Sequence, residues 1–283
     1  MRRTTIAILL AGLAGLTLHA RAQKMVSFAS LDRNASGDPV ALAGRWFARG
    51  SAPAPAALLL HGCGGPYDTN GRLSRRLRDY AALLNAQGYH ALVLDSFSPR
   101  GESELCTQRS GTRRVTQVQR RLDALAALEW LAQRADVRAD RIGLIGWSNG
   151  GSTVLAATNL RQRDVRDASG RPAFGVAFYP GCEAELKRGY TAGAPLLLLL
   201  GQADDWTAAG PCQDLAARAP QGSVSVQVYA GAHHGFDSDA PLRLRRDVPN
   251  GVNPGQGVHV GGDPQALQAS REALLRFLAQ QGR

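Results

Sequence analysis

The chain has 283 residues, 44% of them hydrophobic, and carries a formal net charge of +10. The length suits a single α/β domain and calls for no second core. The charge is almost all arginine, Lys24 and Lys187 being the only lysines. The arginines lie scattered among acids, as in 113–134, with no dense basic block, which argues against a nucleic-acid partner.

Arg2 and Arg3 precede an apolar stretch at 6–18, and Ala20-Arg21-Ala22 supplies a small-x-small cleavage site. This reads as a signal peptide over 1–22, with a mature domain over 23–283 starting at Gln23. The apolar stretch is shorter than the roughly 20 residues a membrane span needs, and no later segment reaches that length. Stable membrane insertion after signal removal is therefore not expected, and a periplasmic or secreted protein is. In an exported chain the four cysteines favour disulfides over metal or redox chemistry. Three pairings are open, and no CxxC spacing occurs.

Strand-like runs are predicted at 56–60, 91–95, 141–147, 174–179, 195–201 and 224–229, with antiparallel edge strands within 25–47. The run Leu196 to Leu200 is apolar on both faces, as a covered central strand should be. Helix-period segments separate several of these runs, which predicts an α/β fold with a mostly parallel sheet and helices on both faces. Leu73, Leu77, Tyr80 and Leu84 share one helical face closed by Gly88. Val115, Val118, Leu122, Leu125, Leu128 and Leu131 form a longer stripe. Helical character is also read over 152–160, and Asp263 and Pro264 open a final helix reaching Leu278. The Gly-, Pro-, Asp- and Asn-rich stretch 237–262 reads as a long surface loop.

The strand at 141–147 runs into Gly146-Trp147-Ser148-Asn149-Gly150, a G-x-S-x-G elbow between a strand and a helix. A nucleophilic serine there must hold a strained backbone at a sharp turn, so glycines two residues before and after it have a mechanical purpose. Such an elbow is followed in the chain by an acid and then a histidine. The acid is Asp204 or Asp205, just past the strand at 195–201, with Asp204 nearer the strand end. The base is His233 or His234, past the strand at 224–229. Backbone N–H donors for an oxyanion are expected from Asn149 and from Cys63 in His61-Gly62-Cys63-Gly64-Gly65. His61 precedes the elbow and reads as a loop brace, while Cys63 lacks an elbow of its own. His19, His90 and His259 show no partner spacing. The chemistry requires no metal and no organic cofactor.

The segments Leu60-His61-Gly62-Cys63-Gly64-Gly65, Leu94-Asp95-Ser96-Phe97-Ser98-Pro99-Arg100-Gly101, Gly146 to Gly151, Tyr179-Pro180-Gly181-Cys182, Gly201 to Thr207 and His234-Gly235-Phe236 together resemble the dienelactone hydrolase family of α/β-hydrolases. The resemblance implies an α/β-hydrolase fold and cleavage of ester or lactone bonds in a small molecule by a serine esterase-like enzyme. It implies Asp204, three residues after the strand-end glycine, and His234, two before an aromatic. Founding members use a cysteine nucleophile and are cytoplasmic, whereas this chain has Ser148 and an export signal. The expected substrate is thus a general ester or lactone. The same fold implies disulfides Cys63–Cys106 and Cys182–Cys212. Arg100 is expected at the pocket border, as a ligand for a substrate carboxylate or as a loop-bracing ion pair. Trp147, Trp206, Phe97 and Tyr179 are expected to line an acyl pocket or belong to the core. The alternatives are an exported serine peptidase of prolyl-oligopeptidase type, which would need a gating domain not visible here, and a catalytically silent binding scaffold, which would be expected to lack one of the three roles.

Overall fold

The computed structural model describes residues 23–281, so the predicted signal peptide over 1–22 lies outside the described residues. The elements run β1 (Lys24–Arg33), β2 (Pro39–Phe47), β3 (Ala54–Leu60), α1 (Arg75–Ala86), β4 (His90–Asp95), α2 (Gln117–Ala132), β5 (Val137–Trp147), α3 (Asn149–Thr158), α4 (Arg163–Asp167), β6 (Phe174–Phe178), α5 (Glu183–Arg188), β7 (Leu196–Gly201), α6 (Ala209–Arg218), β8 (Val224–Tyr229), β9 (Arg243–Arg245), β10 (Val258–Val260) and α7 (Pro264–Gln281).

Eight strands form one sheet in the order β1-β2-β4-β3-β5-β6-β7-β8. The pairs β1–β2 and β2–β4 are antiparallel, and the remaining pairs are parallel. β7 explains the five-leucine run. Leu196, Leu198 and Leu200 pack with α2, α3 and α6 on one face, and Leu197 and Leu199 pack with α1 and α7 on the other. Burying each such side chain stabilises the fold by about 1.5–3 kcal/mol before entropy is counted.

Two helix ends follow the sequence closely. Asp263 Oδ1 accepts from the N–H groups of Gln265 and Ala266, both at 2.9 Å, behind Pro264 in the first helical position. Gly88 takes the left-handed conformation, φ 87°, just past α1. In α2 the stripe holds only in part. Leu125, Leu128 and Leu131 are buried, but Val118 is 47% exposed, and the first inward turns carry Arg120, Arg121 and Asp123. That polar inner face was hidden by an apolar period. The helices α4, α5 and α6 were not read from the sequence. The 237–262 stretch is also more ordered than expected: β9 and β10 pair as a small ribbon, and Val260 bridges to His234.

Candidate active site

β5 delivers Ser148 to the carboxyl edge of the sheet and α3 starts at the next residue. Ser148 holds φ 53°, ψ −118°, outside the ordinary regions for an L-residue. The turn closes because its flanking glycines have no side chain. A Cβ on Gly146 would lie 2.2 Å from the Gly150 carbonyl oxygen, and one on Gly150 would lie 2.0 Å from that of Leu60.

The acid and the histidine arrive past β7 and β8, two and three strands along the sheet from β5. Past β7, Asp204 Oδ1 accepts from the N–H groups of Trp206 and Thr207, each at 2.8 Å. Past β8, His234 donates from Nδ1 to Asp204 Oδ2 at 2.8 Å, and its Nε2 accepts from the Ser148 hydroxyl at 2.9 Å. The carboxylate can only accept, so it fixes the proton on Nδ1 and leaves Nε2 unprotonated to accept from the serine hydroxyl. Thr207 Oγ1 donates toward the Tyr179 carbonyl at 3.0 Å and Asp204 Oδ2 at 3.1 Å. The His234 ring lies between Tyr179 and Trp206, with centroids 4.6 Å away on each side. Burial disfavours charge on Asp204, but His234 and the two backbone donors outweigh it, and its carboxyl titrates below the usual carboxylate value.

His61–Gly65 lies on the other flank. A Cβ on Gly62 would sit 3.5 Å from Ser148 Cβ, so this backbone runs directly beside the serine. The Cys63 carbonyl accepts from Leu105 N–H at 2.7 Å, and the Cys63–Cys106 disulfide closes the loop. The Cys63 N–H makes no hydrogen bond among the described residues, and that of Asn149 opens α3. Both are therefore available as donors. His61 is buried, with Nδ1 donating to the Gly62 carbonyl at 2.8 Å and Nε2 accepting from Ser96 N–H at 3.5 Å. Burial first, and the Arg120 charge second, hold its pKa well below the ordinary imidazole value. It braces the loop. The second disulfide, Cys182–Cys212, joins the segment after β6 to α6, on the acid side.

Two of the expected pocket residues, Arg100 and Trp147, take other roles. Arg100 does not face a pocket. Its guanidinium binds both oxygens of Asp123 at 2.8–2.9 Å, Asp32 Oδ2 at 2.8 Å and the Ser96 carbonyl at 2.8 Å, which leaves no donor edge open for a substrate carboxylate. Of its two expected roles, the loop-bracing ion pair is the one present. Trp147 is 1% exposed, packs on Tyr80 and Phe178, and donates its indole N–H to Asp237 Oδ2 at 2.7 Å. It is core beneath the elbow, as are Phe97 and Tyr179. Trp206, beside His234, is half-buried.

Sequence reasoning missed four contributors here: Arg120, Thr207, Asp237 and the pair Asp205–His259. Asp205 Oδ1 accepts from His259 N–H at 2.8 Å, and Oδ2 from His259 Nδ1 at 2.7 Å. The doubled Asp204-Asp205 was the available signal, since a relay uses one acid and leaves the other to find a partner. Among the described residues, no three His, Cys, Asp or Glu side chains converge as metal ligands.

Comparison with known proteins gives a consistent picture. The family described as the dienelactone hydrolase family matches residues 43–281. A Bradyrhizobium sp. protein described as a probable 2-oxo-3-(5-oxofuran-2-ylidene)propanoate lactonase is 30% identical over 172 residues, covering 56% of this chain and 67% of that one. Among solved structures, Thermogutta terrifontis esterase 2 phosphorylated by paraoxon aligns with a TM-score of 0.62 at 13% identity, over 93% of this chain and 95% of that one. The dienelactone hydrolase from Anabaena variabilis aligns with a TM-score of 0.60 at 18% identity, over 93% and 99%. At those identities the structural likeness is one of fold.

Proposed function

The chain belongs to the dienelactone hydrolase family, and on that premise we propose that it is a serine hydrolase opening carboxylic ester or lactone bonds of a small substrate through an acyl-enzyme. Ser148 Oγ attacks the carbonyl carbon as His234 Nε2 takes its proton. The carbonyl electron pair moves to oxygen, where the N–H groups of Asn149 and Cys63 receive it. Collapse expels the alkoxide, which takes the proton back from His234. Water, deprotonated by the same imidazole, then attacks the acyl carbon and releases Ser148. Asp204 keeps the Nδ1–H tautomer and stabilises the imidazolium formed in each half-reaction. Each oxyanion donor contributes about 3–4 kcal/mol of transition-state stabilisation. With a lactone the alkoxide stays tethered, and the product is a hydroxy acid.

The observation that carries this reading is the unbroken chain of hydrogen bonds from Ser148 Oγ through His234 to Asp204, at 2.9 and 2.8 Å. Trp206, half-buried, offers an aromatic wall beside His234, their ring centroids 4.6 Å apart. Export is supported by two disulfides, which persist in oxidising compartments, and cleavage before Gln23 rests on the small-x-small site Ala20-Arg21-Ala22. No helix among the described residues is long and apolar enough to cross a membrane. The test is a screen of the mature protein against short-chain esters, lactones and peptide amides, with fluorophosphonate labelling. Ester or lactone turnover and labelling at Ser148, both lost in Ser148→Ala, are expected. Turnover that survives Ser148→Ala, or labelling elsewhere, would overturn the reading.

A further inference from the structure

Arg120 sits on the inward face of the first turns of α2 and is 1% exposed. Its Nη2 donates to the His61 carbonyl at 2.7 Å, and its Nη1 donates to Asn149 Oδ1 in a short hydrogen bond. The two acceptors are remote in the chain, and each belongs to a segment carrying one oxyanion donor. The His61 carbonyl lies one peptide before the Cys63 N–H, and Asn149 supplies the other N–H itself. One rigid, planar fork therefore spans the backs of both donor segments.

The choice of residue is unusual. Among the described residues no carboxylate lies within ion-pair distance of Arg120, and its Nε has no hydrogen-bond partner. Its ring contact is the face of Phe97, 5.1 Å away. Isolating a cation in this way costs stability, and an apolar side chain of similar volume would fill the space without that cost. Burial lowers the guanidinium pKa to about 9, with Asp123 and Asp95 opposing the fall and Arg100 adding to it, so the group stays charged at neutral pH. The net result is a positive charge hydrogen-bonded to both segments whose amides would face a developing negative charge. Asn149 is held from other sides as well, its carbonyl accepting from Gln117 Nε2 at 3.1 Å and Thr153 Oγ1 at 2.9 Å. Among the described residues, the Arg120 fork is the side chain that hydrogen-bonds both Asn149 and the His61 segment.

We propose that Arg120 is a positioning residue of the oxyanion hole, fixing the Cys63 and Asn149 N–H groups relative to each other and raising the positive potential at both. The proposal rests on the serine-hydrolase reading above. At 1% exposure Arg120 offers no surface to a substrate, so its effect is expected on the transition state and not on ground-state binding.

The test compares Arg120→Lys, Arg120→Gln and Asn149→Ala in the disulfide-intact mature protein. Asn149→Ala keeps the N–H and deletes only the anchor for the fork. Steady-state kinetics on a p-nitrophenyl ester are read together with inhibition by a boronic acid, a tetrahedral mimic. Arg120→Gln is expected to lower kcat about 10- to 100-fold with KM nearly unchanged, and to weaken the boronate in proportion. Arg120→Lys, which keeps the charge and loses the fork, should fall between wild type and Gln. Asn149→Ala should show the same kcat-only pattern at smaller size, and it decides the matter if Arg120→Gln does not fold. Unchanged kcat, equal changes in kcat and KM, or a boronate affinity that does not follow kcat would overturn the proposal. A wild-type protein that neither turns over esters nor labels at Ser148 would instead sink the serine-hydrolase reading.

Discussion

On one flank of Ser148, the loops after β7 and β8 bring side chains to the site, and Asp204 and His234 touch the serine through one hydrogen-bonded line. On the other flank, the loops after β3 and β5 bring backbone, and the groups proposed to act there are amide N–H donors in segments braced by His61, Arg120 and a disulfide. The first flank depends on which side chains are present. The second depends on where peptide planes are held. Substitutions should therefore act on the two flanks differently, sharply at single atoms on the acid side and through the supporting structure on the oxyanion side.

The sharpest test of that contrast is the pair of adjacent aspartates. Asp204→Asn replaces an acceptor by an amide and permits the wrong imidazole tautomer, so kcat should fall by about 10³- to 10⁴-fold with the fold intact. Asp205→Asn, one residue away, leaves the relay untouched, and its kcat should stay within about threefold of wild type. Comparable losses in both variants would mean that the two carboxylates share the role.

The disulfides are the next lever, one on each flank. They close loops with sequence separations of 43 and 30 residues, and loop-closure entropy puts the contribution of each at about 4 kcal/mol at most. Replacing Cys63 and Cys106 by alanine, or Cys182 and Cys212, should lower denaturant stability by similar amounts. Their kinetic consequences should diverge. Losing Cys63–Cys106 should lower kcat by loosening an oxyanion donor. Losing Cys182–Cys212 should lower it less, because Asp204 is also fixed by the Trp206 and Thr207 N–H groups. Equal kinetic losses would erase the distinction between the flanks.

The same contrast explains what the sequence made legible. The relay could be found because it requires rare residue types at strand ends in a set order. Ser148 was identified by its flanking glycines, and the resemblance picked Asp204 and His234 out of two doublets. The oxyanion flank gave up its loop, through His61-Gly62-Cys63-Gly64-Gly65, but not its brace. Arg120 looks in the sequence like one of many surface arginines on an amphipathic helix, and nothing in its spacing says that the inward face turns polar there. Arg100 misled for a related reason. Position past a strand end suggested a pocket, but its acceptors, Asp32 on β1 and Asp123 on α2, come from parts of the chain that only the folded sheet brings together. The 237–262 stretch hid its ribbon because three-residue strands carry too short a pattern to read.

Acid titration separates the flanks by pH. His61 on the oxyanion flank is neutral in the fold, its pKa held well below 6.5, mainly by burial. Below about pH 6.5 the unfolded chain protonates this imidazole and the folded one does not, so stability falls by about 1.4 kcal/mol per pH unit until the folded value is reached. Asp204 behaves as a depressed carboxyl, and its contribution is complete above the unfolded value of about 3.9 and fades only below it. Denaturation curves between pH 7 and about 5.5 should thus be governed by buried histidines such as His61 and not by Asp204. His90, also lowered by burial, adds to the same limb. The quantity to read is the difference between wild type and His61→Gln, which should flatten the slope. An unchanged slope would show that His61 already carries its proton in the fold.

The smallest effect should come from the second Asp–His pair. Asp205 and His259 make a hydrogen bond as short as the one between Asp204 and His234, 2.7 against 2.8 Å. Their side chains are 32% and 44% exposed, whereas those of the relay are 1% and 4% exposed. Solvent screens the exposed pair and offers each group an alternative partner, so His259→Ala should cost no more than about 1 kcal/mol of global stability. Its consequence should be local. Asp205 holds the 237–262 segment through His259, while the Asp205 carbonyl accepts from Val252 N–H at 2.9 Å, and both contacts fasten that segment to the acid loop. Limited proteolysis should therefore cut His259→Ala within 237–262 faster than wild type, at nearly unchanged kcat. If the cleavage rate were the same, the contacts that the substitution leaves intact, among them Val252 N–H to the Asp205 carbonyl and the Val260–His234 bridge, would suffice to anchor the segment. A loss of kcat comparable to that of Asp204→Asn would mean that geometry, and not burial, sets the worth of an Asp–His pair in this fold.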